Sequence, residues 1–264
     1  MATPGMLALA GIGVLVTRPE HQAMPLCRLL EAEGASTWRL PALEIKAFGD
    51  RRALAARIGA LETFDLIIFT SANAVRFGAS LLDQKRDLPL AAIGAATARA
   101  LNQAGYRVAF TPGQSPNSEG LLAHPRLEHP SGHRILMIKG SEGRQLLQQE
   151  LTHRGAEVVA ADVYQRVPAL PSAAGLQALQ RQFAAGEVHV ITASSLAVGV
   201  ALLQMAPEEL RREFERVLWV VPGERVAAAL REQGLRAPLL LADSAEDQDL
   251  VASLLRWRSS TSGA

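Results

Sequence analysis

Short, unbroken aliphatic runs punctuate this chain, at residues 13–16, 66–69, 90–93, 135–138 and 217–221. Runs of that length without polar alternation fit strands buried on both faces, as in parallel sheets. The segments between them read as helices that stop at Gly34, Gly105, Gly155 and Gly234, where a residue free to turn left-handed ends a helix. Strand alternating with helix predicts an α/β protein built on parallel sheets.

The pattern also repeats. Gly13-Val-Leu-Val-Thr-Arg-Pro and Arg134-Ile-Leu-Met-Ile-Lys-Gly are both aliphatic strands ending in a cation and a helix-breaking residue. Each leads into a helix closed by a Gly-Ala pair, Gly34-Ala35 or Gly155-Ala156, 121 residues apart. An extended stretch follows each, at residues 37–45 and 158–167. Phe64-Asp-Leu-Ile-Ile-Phe-Thr-Ser-Ala-Asn answers Val188-His-Val-Ile-Thr-Ala-Ser-Ser, and Gly94-Ala-Ala-Thr-Ala-Arg-Ala-Leu answers Gly223-Glu-Arg-Val-Ala-Ala-Ala-Leu. The last pair sets Gly105 against Gly234, 129 residues apart, so the offset drifts only by a loop's length. Two copies of one α/β unit follow, and with them two flavodoxin-like, doubly wound parallel-sheet domains. Sequence order leaves open whether the copies are consecutive domains or exchange halves through residues 38–43 and 161–168, which carry Pro41 and Pro168.

Composition narrows the function classes. Of the 264 residues 48% are hydrophobic, enough apolar material for two ordinary cores, and only 5% are aromatic. A formal net charge of +1 provides no global field for nucleic acid or an anionic membrane. Cys27 is the only cysteine, which excludes an internal disulfide and a thiolate metal cage and fits buried packing in a reducing compartment. The apolar run at residues 6–16 has no basic flank or cleavage signal and is too short to span a bilayer, so a cytoplasmic protein is expected. The final residues, 259–264, read as a frayed tail.

In doubly wound sheets, ligands bind beyond the carboxyl ends of the strands, where helix N-termini present backbone N–H groups. Six such turns occur here: Thr17-Arg-Pro-Glu, Thr70-Ser-Ala-Asn, Gly94-Ala-Ala-Thr, Lys139-Gly-Ser-Glu, Thr192-Ala-Ser-Ser and Pro222-Gly-Glu-Arg. Any one of them is accounted for by helix capping. As a set, with Arg18 and Lys139 at equivalent places, they suit a large ligand bearing several anionic groups. The usual catalytic signatures are missing: Gly11-Ile-Gly precedes a strand, and no phosphate loop, H-E-x-x-H or G-x-S-x-G elbow occurs. His124, His129 and His133 fall in a proline-rich surface connection and not at a metal site. The chemistry calls for neither metal nor nucleotide. Of the two tyrosines, Tyr106 reads as packing after a helix stop. Tyr164, in Val163-Tyr-Gln-Arg-Val-Pro, is either a hinge-packing residue or a neutral O–H donor to a leaving hydroxyl.

The segments at residues 14–19 (V-L-V-T-R-P), 69–75 (F-T-S-A-N-A-V) and 93–101 (I-G-A-A-T-A-R-A-L) resemble uroporphyrinogen-III synthases, as do Thr111-Pro-Gly, Ser118-Glu-Gly-Leu-Leu and Tyr164 with Pro168 four residues on. The resemblance covers about residues 7–256. It implies a cofactor-free monomer whose first domain holds residues 1–37 and 169–264 and whose second holds 43–162, with connector strands at 38–42 and 163–168. It implies hydroxymethylbilane, with its eight carboxylates, as substrate, closed with inversion of ring D and loss of water, and transient contact with the enzyme that makes it. By similarity Tyr164 assists departure of the hydroxyl. Thr70, Ser71, Asn73, Thr97, Ser194 and Ser195 would bind acetate and propionate groups. Val226 stands where relatives often carry a hydroxyl residue, so Arg225 or backbone amides would substitute there. The rival reading is a non-enzymatic, two-lobed module that binds an anion or a tetrapyrrole.

Overall fold

The computed structural model describes residues 7–82, 87, 89–113, 117–142 and 145–261. In chain order the strands are β1 (Gly13–Val16), β2 (Ser36–Arg39), β3 (Leu43–Ala47), β4 (Leu66–Phe69), β5 (Leu90–Ala92) and β6 (Val108–Phe110). They continue with β7 (Arg134–Gly140), β8 (Glu157–Pro168), β9 (Val190–Thr192), β10 (Leu218–Pro222) and β11 (Leu239–Ala242). Contacts divide the chain into two compact units, one from Met1–Glu44 and Val167–Ala264, the other from Ile45–Arg166.

The first unit holds the sheet β11-β10-β9-β1-β2, with every neighbouring pair parallel. The second holds β3-β8-β7-β4-β5-β6, parallel from β8 to β6. Counted from the start of a repeat copy, β1 and β7 are first strands, and both sheets then run 2-1-3-4-5, the second with β3 added at its edge beside β8. Each sheet joins the first two strands of one copy to the last three of the other. In such an order the connections leave the first and third strands toward opposite faces, opening a crevice at their carboxyl ends.

Continuous apolar strands follow from burial on both faces. On β1, Leu15 faces a cluster with Ile191, Trp219 and Val221, while Val14 and Val16 face another with Val190, Val220 and Leu26. The second sheet does the same, with Ile67, Phe69, Leu136 and Ile138 on one side and Leu66, Ile68, Ile135 and Met137 on the other. Helix Glu20–Ala32 ends in a Schellman pair: Gly34 N–H donates to Glu31 O at 3.0 Å and Ala35 N–H to Leu30 O at 3.0 Å, with Gly34 at φ +91°. The same pairing closes the helices before Gly105, Gly155 and Gly234. The four helix stops expected from the sequence are thus one motif used four times.

Two details differ from the sequence reading. The stretch at residues 37–45 is broken: β2 ends at Arg39 and β3 begins at Leu43, with the Leu40 and Ala42 N–H groups on either side of Pro41 still donating to Val16 O and Thr17 O. Its counterpart is unbroken as far as Pro168. The expected frayed tail is helical through Thr261, where the Ser259, Ser260 and Thr261 hydroxyls donate back to carbonyls at Leu255 and Trp257. Residues 262–264 of that tail, and Met6 of the first apolar run, lie outside the described residues.

Candidate active site

At the carboxyl end of β4 the ladder continues one residue further, Thr70 N–H donating to Ile138 O at 3.1 Å. The chain then turns into helix Ala72–Gly78, capped by Ser71, whose Oγ accepts the Ala74 N–H at 2.9 Å. On the neighbouring side, β7 and β8 run in register up to Lys139 opposite Asp162 and then slip, so that Gly140 lies opposite Tyr164. One extra residue, Val163, is accommodated in β8 as a bulge. Val163 and Tyr164 consequently share one apolar cluster although adjacent residues of a strand ordinarily face opposite ways. The bulge re-aims the tyrosine.

Gly140 makes room for it. A Cβ at that position would stand 2.6 Å from the Tyr164 Cζ. The tyrosine ring is 3% exposed and stacks on Phe77 with centroids 6.1 Å apart. Its hydroxyl oxygen lies 3.1 Å from Ser71 Oγ and accepts from an Arg166 nitrogen at 3.4 Å. Thr70, Ser71, Lys139, Gly140, Tyr164 and Arg166 surround a pocket of about 500 Å³, with Asn117, Ser118 and Glu142 at its polar margin and Ile93, Met137 and Leu147 as apolar wall. The pocket sits at the ends of β4 and β7, where the strand order of this sheet switches.

Of the candidates read from sequence, Thr70, Ser71, Lys139 and Tyr164 come together here. Lys139 is 6% exposed and its Nζ pairs with the Asp162 carboxylate at 2.9 Å, so it brings a neutralised charge. Asn73 and Thr97 are buried in the same unit and do not line the pocket. In the first unit, Ser195 caps helix Leu196–Met205 through Val198 N–H at 3.3 Å, Ser194 is half-buried, and Arg225 is exposed. Val226 joins the apolar cluster of Trp219 and Leu230. Arg166 was not singled out from the sequence, and Gly140 was read there only as a helix-breaking residue after a strand. Tyr164 and Arg166 are two apart, a spacing that marks one face of a strand, and that was the available signal for the arginine.

Arg18 is also engaged. Its guanidinium lies 2.7 Å from Asp247 Oδ1 at the start of the last helix and donates to the Ala245 carbonyl. Burial pushes the Asp247 carboxyl above the ordinary carboxylate range, against the opposing pull of Arg18, and Glu246 adds to the rise. The folded chain therefore holds this proton at a pH where the unfolded chain has released it. Stability from this group is present below the ordinary carboxylate value and is lost as pH rises through the folded one. Melting temperatures followed across the weakly acid range should show a flatter slope for Asp247→Asn than for the parent. An unchanged slope would place the titrating group elsewhere.

Cys27 is buried among Leu26, Leu30 and Ala23, and burial pushes its thiol up. Among the described residues no group of three or more His, Cys, Asp or Glu is placed to hold a metal ion, and no helix is long and apolar enough to cross a membrane.

The family model described as "Uroporphyrinogen-III synthase HemD" matches residues 25–252. The chain is 32% identical to the uroporphyrinogen-III synthase of Salmonella typhimurium over 92% of its own length and 100% of the relative's. It is likewise 32% identical to the uroporphyrinogen-III synthase of Escherichia coli, over 92% of this chain and 100% of that one. The crystal structure of uroporphyrinogen-III synthetase from Helicobacter pylori superposes with a TM-score of 0.61 at 17% identity, covering 93% of this chain and 99% of the other. That last likeness speaks to the fold.

Proposed function

The chain belongs to the uroporphyrinogen-III synthase family, and from that premise we propose that the Tyr164 pocket is where hydroxymethylbilane loses its hydroxyl group. The observation that carries this reading is the phenol itself: a bulge turns it into a polar pocket at the sheet's switch point, beside Ser71 and Arg166. A pocket of about 500 Å³ is suited to one end of a linear tetrapyrrole.

On this reading the Tyr164 O–H gives its proton to the ring A hydroxyl as the carbon–oxygen bond breaks, releasing water and leaving an azafulvene. Ring D attacks through its substituted carbon to form a spiro intermediate, which fragments and recloses with ring D inverted. The proton shed when the last pyrrole recovers its aromaticity returns to the Tyr164 oxygen, so the net change is loss of one water. The protein's share is orientation and electrostatic support. Thr70, Ser71 and Lys139 are the carboxylate-binding candidates at this pocket. Arg18, Asn73, Thr97, Ser194, Ser195 and Arg225 are assigned to the remaining acetate and propionate groups.

The finer architecture belongs to the same reading: two flavodoxin-like domains, with β3 and the end of β8 as a two-stranded connector between them. So do a monomeric, cytoplasmic enzyme and a transient contact with the enzyme that supplies its substrate. The family does not favour a non-enzymatic binding module.

Freshly generated hydroxymethylbilane, incubated with and without the protein, oxidised and separated into isomers, tests the reaction. Isomer III is expected to predominate only with the protein. Isomer I alone in both tubes, under conditions where a known synthase works, would remove the enzymatic reading.

A further inference from the structure

Arg166 stands beside the Tyr164 hydroxyl without an acidic partner of its own among the described residues. Its nearer nitrogen donates to the phenol oxygen at 3.4 Å, and its guanidinium carbon lies 5.6 Å from the ring centroid. The residue is half-buried on the pocket wall. Nearby Lys139, in contrast, is paired with Asp162 at 2.9 Å.

The hydrogen-bond inventory around the phenol gives Arg166 a specific task. Ser71 Oγ already accepts the Ala74 N–H at 2.9 Å, so its own proton is free to point at the Tyr164 oxygen 3.1 Å away. Arg166 can only donate. With Ser71 and Arg166 both donating to it, the phenol oxygen has its lone pairs engaged, and its single proton is left to point into the pocket. We propose that Arg166 is a positioning residue, which turns the Tyr164 proton toward the substrate hydroxyl and holds the oxygen as negative charge develops on it. This rests on the reading of Tyr164 given above.

The 3.4 Å separation is long for such a bond and is expected to shorten as charge builds on the oxygen. The interaction is therefore stronger in the transition state than in the ground state, and its loss should appear in kcat more than in KM. No atom of Arg166 is consumed: the proton leaves from Tyr164, departs in water, and is replaced from ring D.

The test is a double-mutant cycle in the full-length chain, with kcat and KM measured for Arg166→Gln, Arg166→Lys, Tyr164→Phe and both arginine variants combined with Tyr164→Phe. Arg166→Gln should lower kcat by about tenfold or more, the range for a hydrogen bond to a charged group, with little change in KM. Arg166→Lys should recover part of the loss, and it serves as the second probe if the glutamine variant folds poorly. In the Tyr164→Phe background both arginine substitutions should cost nothing further, because the oxygen they act on is gone. Equal losses in both backgrounds, or a loss confined to KM, would make Arg166 a carboxylate ligand and overturn the proposal. If Tyr164→Phe alone collapses turnover while Arg166→Gln leaves kcat unchanged, Arg166 is excluded and Tyr164 stands. If Tyr164→Phe leaves turnover intact, both readings fall.

Discussion

Tyr164→Phe is expected to lower turnover by about a hundredfold or more, the scale of a lost general acid, while product affinity stays near that of the parent. The substitution isolates the chemistry because everything else about the ring is retained. Phenylalanine keeps the stacking on Phe77 and fills the same space against Gly140. What is lost is one O–H and its contacts with Ser71 and Arg166, which costs about 1 kcal/mol of stability. Steady-state kinetics with fresh hydroxymethylbilane, alongside product titration and a thermal melt, checks all three quantities. Unchanged turnover would make Tyr164 a packing residue of the bulge. A comparable loss in both turnover and product affinity would mean that the phenol serves binding.

Gly140→Ala should damage the same pocket by a different route. The new methyl would stand 2.6 Å from Cζ, 2.9 Å from Cε2 and 3.0 Å from the hydroxyl of Tyr164. A ring that is 3% exposed, with Phe77 against it, has little room to retreat. Either the ring shifts and its hydroxyl leaves Ser71, or the β7–β8 pairing opens at the bulge. Overpacking of this kind costs about 1–3 kcal/mol, and turnover should fall toward that of Tyr164→Phe. Gly113→Ala is the control, because a Cβ there meets nothing within 4 Å. It should change neither melting nor turnover. Normal melting and normal turnover in Gly140→Ala would show that the tyrosine does not occupy this seat in solution.

The two substitutions separate what could be read along the chain from what could not. Tyr164 was visible as one of only two tyrosines, in a segment that repeats. Its direction was not visible, because a bulge inserts one residue and reverses the face of every side chain after it. Gly140 read as a helix breaker after a strand, and only the register with β8 shows what its missing side chain accommodates. Likewise Arg18 and Lys139 were legible as equivalent cations. Their partners, Asp247 and Asp162, come from other elements, so an apparent pair of free anion ligands proves to be two engaged ones.

By itself the sequence determined the alternation of strand and helix, since residues buried on both faces of a sheet must be apolar without interruption, as at Leu66–Phe69. It determined the helix stops at Gly34, Gly105, Gly155 and Gly234, since a left-handed turn selects glycine locally. It also carried the family, through an ordered series of turns. The tertiary structure alone decided which strands became neighbours, where β8 slipped against β7, and which carboxylates engaged Arg18 and Lys139. Those outcomes depend on contacts between residues far apart in the chain. Local propensity and periodicity describe what each segment becomes, and they carry no information about the segment it will pack against.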